Sequence, residues 1–157
     1  MTRTPAQDVR ATVSDAQVYF EDVAVGDALP AMSATFTPRR LVQFAGAALD
    51  FYEIHYDRDV AAEQGLDGII VHGALKNALL GRFVHEWVAP AGRLVTYGCQ
   101  YRGMDAPGEE LVCRGTVTGT REDGGEGVIE LEVGIERADG TLTTPGHARV
   151  VLPHRDA

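Results

Sequence analysis

The sequence predicts an α+β domain in which a curved antiparallel sheet wraps around one long central helix. Two observations carry this. The run from Gly73 to about Val88 is helical in pattern and apolar on most sides, with Leu75, Leu79, Leu80, Phe83, Val84 and Trp87 leaving no clean polar face. A helix that is apolar nearly all round is buried nearly all round. The segments after it then read as strands broken by turns, and Asp139-Gly140 between two strand runs is a hairpin signal. Curling the sheet around the helix is the economical way to bury it.

Each element follows in order. Residues from about Ala28 to Thr37 alternate weakly and form a first strand. Thr37-Pro38 starts a helix, with Thr as the N-cap and Pro in the first turn. Leu41, Phe44, Ala45, Ala48 and Leu49 then recur on one face, and this helix ends at Asp50. Residues 50–58 read as irregular. A short helix spans Val60 to Gln64, capped by Asp57 or Asp59 and stopped by Gly65. After the central helix, Ala89-Pro90-Ala91-Gly92 breaks the chain. Strands follow over Arg93–Met104, Leu111–Arg121, Gly127–Arg137 and Thr141–Leu152.

A chain of 157 residues fits one domain with a real core. Residues 1–17 read as a flexible N-terminal tail, 18–154 as the domain and 155–157 as a C-terminal tail. The N-terminus has no apolar stretch of a secretory signal, and no run is long enough for a membrane span. The net charge of −9 argues against nucleic acid as a partner. Cys99 and Cys113 form no CxxC pair, so a reduced, cytoplasmic setting is the simplest reading, with a disulfide still open.

The chemistry concentrates at two places. Asp50 and His55 form an Asp-x4-His spacing that lets a carboxylate and an imidazole share one water molecule. Asp50 lies at a helix C-terminus, where a negative group is disfavoured. A residue that breaks a local rule is a functional candidate. Seventeen residues after His55, His72-Gly73 opens the central helix. The Gly73 amide there has the polarity to hold a developing oxyanion, and His72 shapes the turn. An Asp-x4-His spacing on its own belongs more often to a surface loop, and a lone histidine is more often structural. The acidic group Glu53, Asp57 and Asp59 lacks a calcium-loop pattern, and no zinc-ligand spacing occurs, so no metal is expected.

These residues resemble the MaoC-like (R)-specific enoyl-CoA hydratases and dehydratases. Asp50, His55 and His72-Gly73 match that family's motif in order and spacing. Tyr19-Phe20-Glu21-Asp22 with Val25-Gly26-Asp27 is similar to its opening, and Pro107-Gly108-Glu109 to a later turn. The likeness covers roughly residues 19–153. Departures are Leu49 where glycine is usual, Tyr52-Glu53 in place of Asn-Pro, and Gly81 about where a supporting serine would stand.

The resemblance implies a hot-dog fold and a cofactor-free lyase. Its reaction would be hydration of a trans-2-enoyl-CoA to the (R)-3-hydroxyacyl-CoA, or the reverse dehydration on CoA or an acyl carrier. Asp50 and His55 would be catalytic, with Gly73 and His72 binding substrate. It also implies a dimer with the central helices side by side. Lys76, Arg82, Arg93 and Arg102 are candidates for the CoA phosphates, and Tyr97, Tyr101, Phe83 and Trp87 for core or dimer contacts. Two alternatives stand beside it. One is a hot-dog acyl-CoA thioesterase. The other is a subunit of a heteromeric hydratase acting on bulky, steroid-like enoyl-CoA, since His55-Tyr56-Asp57-Arg58-Asp59 with Gln64-Gly65 is similar to the small subunits of such enzymes.

Overall fold

The computed structural model describes residues 9–11 and 16–155. Its strands are β1 (Val9–Ala11), β2 (Met32–Thr35), β3 (Arg93–Cys99), β4 (Glu110–Asp123), β5 (Glu126–Arg137) and β6 (Leu142–Leu152). Its helices are α1 (Pro38–Ala48), α2 (Arg58–Glu63) and α3 (Gly73–Val88), with short 3-10 turns at Phe20–Asp22 and Glu53–His55. The strands form one antiparallel sheet in the order β1-β2-β4-β5-β6-β3. This is the expected α+β, hot-dog layout.

Alternation builds the core. Leu111, Cys113, Gly115 and Val117 of β4 are buried, while Arg114 and Thr116 between them, and Thr118 after them, face out. Register shifts at Leu94/Thr96, Val117/Gly119 and Ile135/Glu136 bend the long strands, and the buried face curls around α3. Gly146 marks a close approach of sheet and helix. A Cβ there would sit 2.6 Å from the Gly98 carbonyl oxygen and 3.2 Å from the Leu80 side chain, so bare backbone lets β6 lie against both β3 and α3.

α3 buries Lys76, Leu79, Leu80, Phe83, Val84 and Val88 against the sheet. The stripe Ala74, Ala78, Arg82 and His85 remains exposed. The expectation of burial on nearly all sides therefore holds on the sheet side only, because one sheet reaches around one side of a helix.

Lys76 corrects another expectation. It is no phosphate contact: its side chain is 2 % exposed, with Nζ 2.7 Å from Asp105, itself fully buried. Lys76 Nζ also donates to the Gly103 carbonyl at 2.8 Å. Thr143 Oγ1 donates to Asp105 at 2.9 Å and Arg137 Nε donates to its other oxygen at 3.0 Å. A buried ammonium is tolerated only with such partners.

Other boundaries moved for local reasons. α1 ends at Ala48, short of Asp50, because Leu49 turns left-handed at φ 56° and the Leu49 and Asp50 amides both close onto the Ala45 carbonyl. β3 stops at Cys99 and not Met104, since the Arg102 and Gly103 amides converge on the single Thr143 carbonyl and break the ladder. α2 starts at Arg58, two residues early, because Asp57 accepts from the Asp59 and Val60 amides. Val9–Ala11, expected in the flexible tail, pairs with the otherwise open edge of β2, while residues 1–8 and 12–15 of that tail lie outside the described residues. Arg155, expected in the C-terminal tail, forks onto the Asp22 carboxylate at 2.5 and 2.7 Å; residues 156–157 lie outside the described residues.

Cys99 lies on edge strand β3 and Cys113 on β4, with β5 and β6 between them. Three strand spacings separate them by roughly 14 Å, beyond disulfide reach. Burial pushes the Cys113 thiol up to about 12, which leaves it inert.

Two stability outcomes follow. Leu49 is 78 % exposed, so Leu49→Gly removes left-handed strain without losing packing. It is expected to raise stability by about 0.5–1 kcal/mol, the strain relieved less the flexibility gained, read from the urea midpoint. Lys76→Met takes the ammonium from the buried Asp105 carboxylate, leaving it Arg137 and Thr143 alone, and is expected to cost about 3 kcal/mol in the same measurement.

Candidate functional site

Three segments meet at the head of α3. Asp50 follows the left-handed turn that ends α1. His55 closes the 3-10 turn Glu53–His55, and His72 is the N-cap of α3. A ligand atom from each of Asp50, His55 and His72 lies within 4.8 Å of the other two. The fold thus assembles the expected Asp50–His55 pair and brings His72 into it.

His55 is fixed from behind. Its Nδ1 sits 2.8 Å from the Ile70 carbonyl oxygen, and the Ile70 amide donates to the Ile54 carbonyl at 3.1 Å. A carbonyl only accepts, so Nδ1 carries the proton. In the neutral ring Nε2 is then the acceptor, free for chemistry. The Tyr52 ring stands edge-on to His55 at 6.2 Å between centroids, at one of the positions that depart from the family pattern.

His72 also packs directly against His55. Its ring stacks on His55 at 3.8 Å with planes 22° apart, and Phe44 meets it edge-on at 5.1 Å. It is fully buried, and neither ring nitrogen makes a hydrogen bond. Burial, and then electrostatic repulsion by the neighbouring His55, hold His72 below the ordinary imidazole range. The charge of Asp50 and its nearby carbonyl oppose this, but the carbonyl lies outside hydrogen-bonding geometry. The stack therefore favours the neutral form of His72. Asp50, His55 and His72 are also the donors that could hold a divalent cation, a set that their sequence spacing did not reveal.

Gly73 is the first residue of α3, and its N–H has no acceptor within the helix. The Leu75 and Lys76 amides both turn back to the His72 carbonyl at 3.1 Å. A Cβ at Gly73 would lie 2.9 Å from the Tyr101 ring, so a larger residue there would displace that exposed ring. Tyr97 covers Gly81 in the same way at 2.9 Å, filling the place where a serine side chain would stand.

A cleft of about 500 Å³ runs between α1 and α3. Phe36, Phe44, Ala47, Leu75 and Leu79 line it, with Arg40 and Arg82 at its margin. Phe44 joins this cleft to His72. Of the expected phosphate contacts other than Lys76, Arg82 pairs with Glu86, Arg93 forks onto Glu126 at 2.6 Å, and Arg102 donates to Gln100. Exposed pairs of this kind are weak and leave the guanidinium groups available. Phe83 is core, and Trp87 packs against its edge.

Sequence reasoning missed Asp105 and the reach of Phe44. Asp105 stands before Ala-Pro-Gly and reads as a turn residue, while Phe44 reads as ordinary helix core.

The neutral His72 ring has a signed consequence. Between its lowered folded value and the ordinary 6.5, the unfolded chain binds more protons at this position than the folded chain. The stability it contributes is full above about pH 6.5 and is lost as pH falls through that window. His72→Phe keeps a ring without orphaned nitrogens, and its Tm is expected to fall less steeply than wild type from pH 7 to pH 5. Equal slopes would show that His72 is not the group responsible.

The family described as the MaoC like domain matches residues 20–139. The beta subunit of the 3-oxo-4,17-pregnadiene-20-carboxyl-CoA hydratase of Mycobacterium tuberculosis is 34 % identical over 74 residues, 47 % of this chain and 57 % of that subunit. The chain therefore matches little more than half of that relative's length. Among solved structures, the (R)-hydratase from A. caviae involved in PHA biosynthesis superposes with a TM-score of 0.76 at 25 % identity, covering 85 % of this chain and 99 % of that one. A chain of the ChsH1–ChsH2 complex from Mycobacterium tuberculosis gives 0.72 at 25 % identity, covering 83 % and 98 %. With the motif residues gathered at one site and the family matched over most of its length, this chain belongs to the MaoC-like dehydratase family.

Proposed function

We propose that this protein adds water to trans-2-enoyl-CoA thioesters to give (R)-3-hydroxyacyl-CoA, or removes it in the reverse direction, without a cofactor. The observation that carries this reading is the Asp50–His55 pair, with His55 Nδ1 committed to Ile70 and polar atoms of both residues within 4.8 Å. One water can donate to the Asp50 carboxylate and to His55 Nε2 together. Its oxygen then attacks C3 of the enoyl thioester as one O–H bond breaks, and the pair takes up that proton. Negative charge moves to the thioester oxygen, where the Gly73 amide stabilises it. A proton from the pair returns to C2 as the enolate collapses, so the elements of water are added and nothing is left over. The two groups act as a unit.

The cleft between α1 and α3 suits the acyl chain, because its apolar wall reaches His72 through Phe44. A second reading concerns assembly and substrate size. The likeness to the beta subunit of a steroid-CoA hydratase favours a bulky acyl group and a heteromeric partner. The exposed Ala74–Ala78 stripe of α3 and the partly exposed Val95 and Tyr97 on edge strand β3 offer a surface for a second hot-dog chain, identical or different. A cytoplasmic setting accords with two thiols held out of each other's reach.

The test follows loss of enoyl absorbance and release of free thiol separately, with crotonyl-CoA and bulkier trans-2-enoyl-CoAs. Enoyl loss without thiol release is expected. Asp50→Asn and His55→Ala are each expected to lower kcat by about 10²–10⁴-fold. Thiol release without enoyl loss would instead identify a thioesterase. Turnover that begins only when a second hot-dog subunit is added would identify the heteromer.

A further inference from the structure

The Lys76–Asp105 pair sits next to the turn that carries the Gly73 amide, and its bonds straddle that turn. On the chain's approach to the turn, the Val71 amide donates to the Asp105 backbone carbonyl at 2.8 Å. Beyond it, Lys76 Nζ donates to the Asp105 carboxylate at 2.7 Å. One residue thus grips both sides of Val71-His72-Gly73-Ala74-Leu75-Lys76. Asp105 is itself anchored to the sheet through Thr143 Oγ1 at 2.9 Å and Arg137 Nε at 3.0 Å. The second Lys76 bond, to the Gly103 carbonyl, ties down the segment that places the Tyr101 ring against Gly73.

An ion pair is a costly way to join a helix to a loop in an apolar interior. Two apolar side chains of similar volume would pack as well but would fix no direction. The charged pair fixes both distance and angle, and an amide that must meet a developing oxyanion needs both. A misplacement of about 1 Å costs on the order of 10²-fold in rate. From this geometry we infer that Asp105 is a positioning residue, which through Val71 and Lys76 holds the Gly73 N–H at the angle and distance an oxyanion requires. The inference rests on the hydratase reading for the oxyanion itself, while the clasp can be observed without turnover.

The experiment uses the full chain with Asp105→Asn, Thr143→Val and Thr143→Ser. Thr143→Val removes the hydroxyl that anchors Asp105, and Thr143→Ser restores it. Retained amide NMR shifts in β4 and β5 establish that each variant is folded, and Thr143→Val carries the test where Asp105→Asn fails to fold. Three readouts are taken: Val71 amide exchange with the Gly73 amide shift, the kcat and KM for crotonyl-CoA, and the infrared carbonyl band of bound 13C-labelled crotonyl-CoA.

Asp105→Asn and Thr143→Val are expected to speed Val71 exchange by about tenfold and move the Gly73 resonance. They are expected to lower kcat by about 10–100-fold with KM within about twofold, the pattern of a lost transition-state contact. The bound carbonyl band moves back toward its free position, and Thr143→Ser behaves as wild type. A folded Asp105→Asn or Thr143→Val with wild-type kcat and carbonyl band overturns the inference, as does loss of kcat with the Gly73 shift unchanged. If wild type itself shows no hydration, the proposed function fails; the clasp then stands or falls on Val71 exchange and the Gly73 shift alone.

Discussion

Lys76 enters the apolar interior three residues into α3 and finds its counter-charge 2.7 Å away on Asp105. Because the helix must be buried, this lysine must be paired, and its partner comes from the segment between β3 and β4. Asp105 in turn draws in Thr143 from β6 and Arg137 from β5. The same residue accepts the Val71 amide. One buried charge thus fixes where the central helix starts, how the chain crosses to β4 and how both meet the far strands. Breaking such a pair from one side costs far more than forming it gains, so these elements move together or not at all.

The site inherits its precision from that arrangement. His72 and Gly73 ride on the pinned turn, and His55 is bonded to Ile70 just before it. Only Asp50 arrives from another direction, over a left-handed leucine at the end of α1. Electrostatics then separate the roles of the imidazoles. His72, buried and stacked on His55, is pushed toward its neutral form. His55 keeps one nitrogen on a carbonyl and leaves the other for the proton transfers proposed for it.

How much of this was legible depended on the range of the interaction. The Thr37-Pro38 cap and the Asp139-Gly140 hairpin are local rules, and the chain obeys them: Thr37 accepts the Arg40 amide, and Gly140 takes up a positive φ of 84°. The Asp50, His55 and His72-Gly73 motif was legible as a pattern, and the fold brings its parts within reach of one another. The end of α1 was misplaced because leucine rarely turns left-handed. The partners of Lys76, Tyr97 and Tyr101 were out of sight because each lies far along the chain.

The sequence by itself determined the order of the helices and of the strands from β2 onward, the excess apolar character of α3 and the Asp50, His55 and His72-Gly73 motif, since periodicity and turn chemistry are properties of neighbours along the chain. Tertiary structure alone decided that Lys76 is a buried ion-pair partner and not a ligand contact, that His72 stacks on His55, and that the Tyr101 ring lies against Gly73. Burial and pairing set the charge and reach of a side chain, and both depend on which distant segments the sheet brings against it.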